Sequence, residues 1–189
     1  GARTFPVGIA EVVKRVIHTT ADFDYADNLA FSPDVIEQAK AALCNGATIV
    51  TDTNMALSGI SKPSLTKLGA KALCLMADPD IAREAKERGV TRAVVSMEHA
   101  ARLDGPLIFA VGNAPTALIR LHELIGKDEV KPALVIGVPV GFVNVVEAKE
   151  LFIGGKTPYI IARGRKGGSN VAAAIVNALL YQLIRREGF

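Results

Sequence analysis

The chain has 189 residues, half of them apolar, which is enough for one domain with a substantial buried core. Its net charge of +3, the lack of tryptophan and the few other aromatic residues argue against a nucleic-acid-binding surface and favour a small anionic ligand. The apolar runs fall short of the roughly 20 residues of a membrane-spanning helix, or are broken by polar residues such as Asn177 and Gln182. No signal-peptide pattern is visible, so we expect a cytoplasmic protein without a membrane segment.

In chain order, the spacing of apolar residues predicts alternating helices and strands. The predicted helices cover residues 6–19, 34–43, 78–88, 117–125, 145–152 and 169–186. The predicted strands cover residues 47–52, 71–76, 90–96, 107–112, 133–137 and 159–162. Asp78 and Gly89 have the residue types expected at the start and end of the helix that they flank.

The alternation of short apolar strands with longer helices predicts an α/β fold of three layers, in which a mainly parallel sheet lies between helices. We expect residues 1–189 to form a single domain. Glycine-rich segments at 112–115, 137–141 and 164–168 each follow a predicted strand. Because the carboxyl ends of parallel strands lie at one edge of a sheet, these segments should meet there, where ligands of such folds bind.

The cysteines and histidines give no metal-ligand spacing. Cys44 and Cys74 each lie in an apolar stretch, which predicts buried free thiols rather than a disulfide. His18, His99 and His122 are far apart in the sequence, and no carboxylate or cysteine pattern accompanies them. No complete nucleotide-binding glycine motif follows a predicted strand either. We therefore expect neither a protein-bound metal nor a nucleotide cofactor.

A polar stripe on the first predicted helix combines a cation with a titratable ring. Glu11, Arg15 and His18 are spaced at i, i+4 and i+7, which places them on one face, away from the apolar face. Imidazole exchanges protons near neutral pH, and a neighbouring arginine binds anions. The stripe is therefore either a proton-transfer site beside an anionic ligand or an ordinary exposed helix face.

A cationic glycine-rich loop, residues 164–169, precedes the last predicted helix. Its glycines leave backbone N–H groups accessible, Arg165 and Lys166 supply positive charge, and the helix amino terminus adds more. These features suit an anion-binding loop. They suit equally a solvated turn in which Ser169 caps the helix.

Several short motifs along the chain have a specific order. They are Arg-x-x-His at 15–18, Phe-Ser-Pro at 31–33, Asp52, Met55 and Gly59 after a strand, Thr-Arg at 91–92, Gly-Asn-Ala-Pro-Thr-Ala-Leu at 112–118, Gly-Val-Pro-Val-Gly-Phe-Val at 137–143, Glu-Ala-Lys at 147–149 and Gly-Arg-Lys-Gly-Gly-Ser at 164–169. Over nearly its whole length the chain thus resembles the precorrin-8X (or cobalt-precorrin-8) methylmutase family of cobalamin biosynthesis. It departs from the family at Ala148, where serine is usual.

The resemblance implies a flavodoxin-like fold and an isomerase that moves a methyl group from C-11 to C-12 of the corrin ring. The product is hydrogenobyrinic acid, or cobyrinic acid where cobalt is already present, and this cobalt belongs to the substrate. The resemblance makes His18 the proton donor or acceptor, and no cofactor is expected. The residues expected to bind the polycarboxylate tetrapyrrole are Arg15, Met55, Ser61, Lys62, Thr91, Arg92, Asn113, Arg165 and Lys166.

Two further expectations come from the family alone. Its members form homodimers with the site near the interface, so we expect a homodimer here. They also have a segment ahead of the first helix that carries a substrate-contacting serine, and we expect this segment to be absent from a sequence that begins at Gly1. Two functions of other classes also fit the cationic residues: a non-catalytic tetrapyrrole carrier, and a structural domain that binds phosphate at residues 164–169.

Overall fold

The computed structural model describes residues 3–184. The helices are α1 (Ile9–Thr20), α2 (Tyr25–Asn28), α3 (Val35–Cys44), α4 (Asn54–Gly59), α5 (Lys62–Leu68), α6 (Pro79–Arg88), α7 (Arg92–Ala100), α8 (Pro115–Gly126), α9 (Val145–Glu150) and α10 (Ser169–Leu183). The strands are β1 (Leu29–Phe31), β2 (Thr48–Thr51), β3 (Lys71–Cys74), β4 (Leu107–Val111), β5 (Leu134–Gly137) and β6 (Tyr159–Ala162).

The strands form one six-stranded sheet in the order β1-β6-β5-β4-β2-β3. The short edge strand β1 is antiparallel to β6, and the remaining strands are parallel to one another. Without β1, the order of the parallel strands is the flavodoxin-like one. The predicted mainly parallel sheet is confirmed, and the antiparallel edge strand is an addition to it.

Alternate strand residues face two helix layers, because successive side chains of a strand point to opposite faces. In β4, Ile108 packs in a core with α1, α3, α4, α5 and α10. Its neighbour Phe109 packs in a second core with α7, α8 and α9. All of β4 is buried, as expected for a central parallel strand covered on both sides. The three-layer prediction is confirmed.

The strand predicted at residues 90–96 is wrong, because this segment begins helix α7. Thr91 caps the helix by accepting a hydrogen bond from the Val94 N–H at 3.3 Å. Ala93, Met97 and Ala100 are buried at helical spacing and pack in the core with α8. A cap and a helical burial pattern thus outweigh the β-branched valines that suggested a strand.

The expected burial of both thiols is wrong in part. Cys74 is half-buried, whereas Cys44 is exposed at the carboxyl end of α3. Both are free, as predicted. Within residues 3–184 no helix is both long and apolar enough to span a bilayer.

Candidate active site

Helix α1 presents its polar stripe outward because its apolar stripe is fixed in the core. Val12, Val13 and Val16 are buried, and the helix ends at Ala21, whose left-handed backbone lets its N–H donate to the Ile17 carbonyl at 2.7 Å. The stripe forms one polar face, as the helical spacing predicted, and this face borders the neighbouring helix α10.

An open groove of about 380 Å³ runs along this seam. Its walls are Glu11, Lys14, Arg15 and His18 from α1, and Ala178, Tyr181 and Gln182 from α10. We call it the α1–α10 groove. The structure thus brings the predicted proton-transfer residue His18 and the predicted anion-binding residue Arg15 to one cavity, with further polar side chains beside them.

The guanidinium of Arg15 is held by an aromatic ring. Its Cζ atom lies 4.7 Å from the centroid of the Tyr181 ring, a cation–π contact that fixes the arginine and leaves its charge unneutralised. The Gln182 Nε2 atom donates to the Gly8 carbonyl at 3.1 Å, which ties α10 to the start of α1. Among residues 3–184, no carboxylate forms an ion pair with Arg15 or His18. Both groups are therefore available to an anionic ligand.

The glycine-rich segments meet at the carboxyl edge of the sheet, as predicted, and we call this edge the rim. A side chain on Gly112 would come within 2.8 Å of the Gly168 carbonyl oxygen, so the loops after β4 and β6 are in contact. The Gly168 N–H donates to the Val138 carbonyl at 2.8 Å, which adds the loop after β5. The convergence of these loops is confirmed.

The rim contains a buried carboxylate, Asp52, between β2 and β4. Its Oδ1 atom accepts from the Gly112 N–H at 2.8 Å, and its Oδ2 atom accepts from the N–H groups of Asn113 and Ala114 at 2.8 and 2.6 Å. Burial raises the pKa of this carboxyl group, while these hydrogen bonds oppose the shift. Flavodoxin holds its cofactor at the equivalent point of the sheet. Here those N–H groups already bind the chain's own carboxylate.

The two predicted cations of the loop between β6 and α10 differ in their surroundings. The Lys166 Nζ atom lies 2.6 Å from a carboxylate oxygen of both Asp22 and Asp24, and these hydrogen bonds raise the pKa of Lys166. Arg165 is exposed and has no ion pair among the described residues. Arg165 is therefore available to a ligand, while the charge of Lys166 is balanced within the chain.

The other predicted substrate-binding residues lie at several places. Met55, on α4, and Asn113 are exposed at the rim. Ser61 precedes α5, and its N–H donates to the Asn177 Oδ1 atom of α10 at 2.9 Å. Lys62 follows it and is exposed.

Thr91 and Arg92 belong to the opposite helix layer. Thr91 Oγ1 lies 3.3 Å from Thr116 Oγ1 at the start of α8, and Arg92 is exposed at the start of α7. One chain does not bring these two residues into the α1–α10 groove. Their role toward the substrate stays a prediction.

Sequence reasoning assigned no role to three residues that shape this region, although two of them, Asp52 and Lys149, stand in the motifs named above. Tyr181 orients Arg15, Asp52 holds the loop after β4, and Lys149 holds the loop after β6. Lys149 gave a signal, because in the helix predicted at 145–152 it stands between the apolar residues Ala148 and Phe152, both of which the fold buries. No group of three or more potential metal ligands occurs in the part of the chain described.

Comparison with known proteins shows the same family over almost the whole chain. The model of the precorrin-8X methylmutase family matches residues 1–182. The cobalt-precorrin-8 methylmutase of Salmonella typhimurium is 50% identical over 173 residues, which cover 91% of this chain and 80% of that protein. That of Leptospira interrogans is 42% identical over 188 residues, covering 95% of this chain and 86% of that protein.

A solved structure is also similar. The crystal structure of precorrin-8X methylmutase from Thermus thermophilus matches with a TM-score of 0.86 and 38% sequence identity, covering 95% of this chain and 88% of that one. The sheet order defines a flavodoxin-like α/β fold, and the matched family and relatives define the class as an isomerase. The chain belongs to the precorrin-8X methylmutase family, whose members are isomerases of cobalamin biosynthesis.

Proposed function

We propose that this protein moves a methyl group from C-11 to C-12 of precorrin-8X or its cobalt form, with His18 as the proton donor or acceptor. The observation that carries the assignment of the site is the α1–α10 groove, where Arg15 and His18 lie side by side. Family membership supports the reaction, and the groove supports the residues that perform it.

Arg15 binds a substrate carboxylate in this proposal. A guanidinium donates two parallel hydrogen bonds to a carboxylate and so fixes both position and orientation. The Tyr181 ring beneath it reduces the number of orientations that the free arginine samples, which lowers the entropic cost of binding. Lys14 adds a second cation to the same groove.

His18 exchanges a proton with the macrocycle in this proposal. Its side chain is exposed in the groove, so a bound tetrapyrrole has direct access to the ring. Protonating the conjugated system makes it more electron-poor and favours migration of the methyl group, after which the product returns the proton to His18 and so remains an isomer of the substrate. A positioned acid or base contributes a factor of ~10²–10⁴ to such a rate.

The reaction as proposed is complete within one molecule of substrate. The bond between the methyl carbon and C-11 breaks, and a bond between the same methyl carbon and C-12 forms. Neither a second substrate nor a redox cofactor is therefore required. Where cobalt is present it belongs to the macrocycle. We propose on this basis that the partner is a polycarboxylate tetrapyrrole and that the enzyme has no resident cofactor.

We also propose that the enzyme acts as a homodimer. The α1–α10 groove is open along its outer side, and among residues 3–184 its walls come from α1 and α10 alone. A second copy would supply another wall and help to exclude water from a large substrate. Light scattering coupled to gel filtration tests this proposal, and a monomeric mass at working concentrations would contradict it. The cytoplasmic location stays a prediction.

A single-turnover absorbance assay tests the proposed function. We expect the wild-type protein to convert precorrin-8X or cobalt-precorrin-8, and His18→Ala to bind hydrogenobyrinic acid without turnover. Equal turnover by this variant would reject the role of His18. A wild-type protein that binds the corrinoid without converting it would be a carrier, and thermal stabilisation by phosphate but not by hydrogenobyrinic acid would indicate the phosphate-binding domain.

A further inference from the structure

Lys149 is a completely buried cation outside the residues assigned to the reaction. Its exposure is 0%, and its Nζ atom donates to the carbonyl oxygens of Gly164 at 2.7 Å and of Lys166 at 2.9 Å. None of the ion pairs among residues 3–184 involves it. Burial without a carboxylate partner lowers the pKa of Lys149 to about 8.

The two carbonyl groups that Lys149 holds flank Arg165. The carbonyl between them, that of Arg165, accepts instead from the Gly141 N–H at 3.1 Å. Three consecutive carbonyl groups of the loop are therefore fixed by donors within the protein: the outer two by Lys149 and the middle one by the loop after β5. With its backbone held in this way, Arg165 keeps its side chain exposed at the rim.

The same loop connects to the end of the helix that carries His18. The Lys166 ammonium bridges Asp22 and Asp24, each at 2.6 Å, and these residues follow α1 directly. Lys166 is thus tied to the segment after α1 by its side chain and to Lys149 by its carbonyl.

Stability alone gives no reason for a charge at this position. A buried ammonium with no counter-ion is costly, and an apolar side chain of similar length would avoid that cost. The carbonyl groups of residues 164 and 166, however, would then lose their donor. The benefit of the lysine is the defined conformation of the loop.

We propose that Lys149 is a positioning residue, which shapes the loop between β6 and α10 so that Arg165 meets a carboxylate of the substrate. This inference rests on the proposed function, because it takes the polycarboxylate tetrapyrrole as the ligand. Lys149 itself is too deeply buried to touch that ligand, so its effect must pass through Arg165.

A double-mutant cycle tests the proposal. The dissociation constant for hydrogenobyrinic acid and the saturating single-turnover rate are measured for Lys149→Met, Arg165→Ala and the double variant. We expect each single variant to weaken binding about tenfold, as for the loss of a hydrogen bond to a charged group, with the saturating rate unchanged. The double variant should bind no more weakly than Arg165→Ala, and Lys149→Gln should recover part of the loss.

Arg163→Ala is the matched control. Arg163 lies in the same loop and pairs with Glu150 of α9, with both nitrogen–oxygen distances at 2.8 Å, yet it holds neither flanking carbonyl. Its effect on affinity should be small and should add to that of Arg165→Ala.

Four results would overturn the inference. They are additive losses for Lys149→Met and Arg165→Ala, unchanged affinity in either variant, a loss of saturating rate with unchanged affinity, and failure of both Lys149 variants to fold, which would make the role structural. A wild-type protein that neither binds nor converts the corrinoid would instead reject the proposed function.

Discussion

Two helix faces of this protein carry the same kinds of residue and differ in whether their charges are paired. On the face formed by α6, α7 and α8, His99 Nε2 lies 2.7 Å from Glu84 Oε2, and Glu98 accepts hydrogen bonds from both Arg88 and Arg120. On the outer face of α1, Arg15 lies over an aromatic ring, and His18 has no ion pair within residues 3–184.

The difference shows how a functional cluster is distinguished from a structural one. The presence of an arginine, a glutamate and a histidine on neighbouring helix turns does not by itself show whether a cluster is functional or structural. Where the carboxylates are shared among the cations of the chain, the cluster stabilises the fold. Where the cation and the imidazole face an open groove and, within the described residues, neither forms an ion pair with its one carboxylate, Glu11, the missing negative charge can be supplied by a ligand.

The largest expected effect compares the two histidines. His18→Ala should lower the single-turnover rate by ~10²–10⁴-fold, because it removes the proposed proton donor or acceptor, and should leave product affinity almost unchanged. His99→Ala, the matched control, should keep the wild-type rate. A similar loss of rate in both variants would show that ion pairing within the chain does not distinguish a functional helix face from a structural one.

The next effect concerns stability. Arg88→Ala should lower the free energy of unfolding, because the mostly buried Glu98 loses two charged hydrogen bonds. Product affinity should not change. Urea unfolding at pH 7 measures the first quantity, and an absorbance titration with hydrogenobyrinic acid measures the second. Weaker product binding by a fully folded variant would contradict a purely structural role for this face.

The pH dependence of this effect has a defined sign. The hydrogen bond from Arg88 is the largest cause that lowers the pKa of Glu98 below its usual value of 4.5. A lowered pKa in the folded state stabilises the protein fully above that usual value, and the contribution is lost as the pH falls through the folded-state pKa. The difference in stability between the wild type and Arg88→Ala should therefore shrink below pH ~4.5.

A smaller effect is expected for the arginine of the groove. Arg15→Ala should weaken the binding of hydrogenobyrinic acid about tenfold while leaving the free energy of unfolding within ~0.5 kcal/mol of the wild type. Arg83→Ala is a suitable control, since Arg83 is an exposed arginine on α6 that pairs with Asp80 at 2.7 Å. Equal affinity in the two variants would remove Arg15 from the site.

The smallest expected effect concerns the ring that holds Arg15. Tyr181→Leu should weaken product binding about threefold, as expected for a cation–π contact worth roughly 0.5–1 kcal/mol at an exposed site. Tyr181→Phe keeps the ring and should keep the affinity. In an Arg15→Ala background the leucine substitution should have no further effect, and an independent loss there would contradict positioning through Arg15.

Much of the fold could be predicted because its long elements carry their own signals. Asp78 caps α6 by accepting from the Asp80 N–H at 2.8 Å, and Gly89 ends it in a left-handed conformation, as expected. The short elements α2, α4, α5 and β1 were missed, because tertiary contacts rather than an apolar period define them. A side chain on Gly59 of α4, for example, would lie 2.8 Å from the Ala173 Cβ atom of α10.

The candidate site was predictable to a similar extent. Arg15 and His18 share one helix face, so spacing alone placed them together. Tyr181 lies more than 160 residues further along the chain, and no local pattern could pair it with Arg15. The buried roles of Asp52 and Lys149 likewise depend on loops that only the folded sheet brings within hydrogen-bond distance.

The most direct test of the site is to observe the histidine rings during binding. In a protein labelled with ¹⁵N-histidine, and with resonances assigned by single His→Gln variants, hydrogenobyrinic acid is titrated and the ring resonances are followed by NMR. We expect the His18 resonances to shift, and the shift to reach its plateau at the same corrinoid concentration as the change in the visible spectrum. The His99 resonances should stay in place. Unmoved His18 resonances in a protein saturated with corrinoid would contradict the α1–α10 groove as the active site.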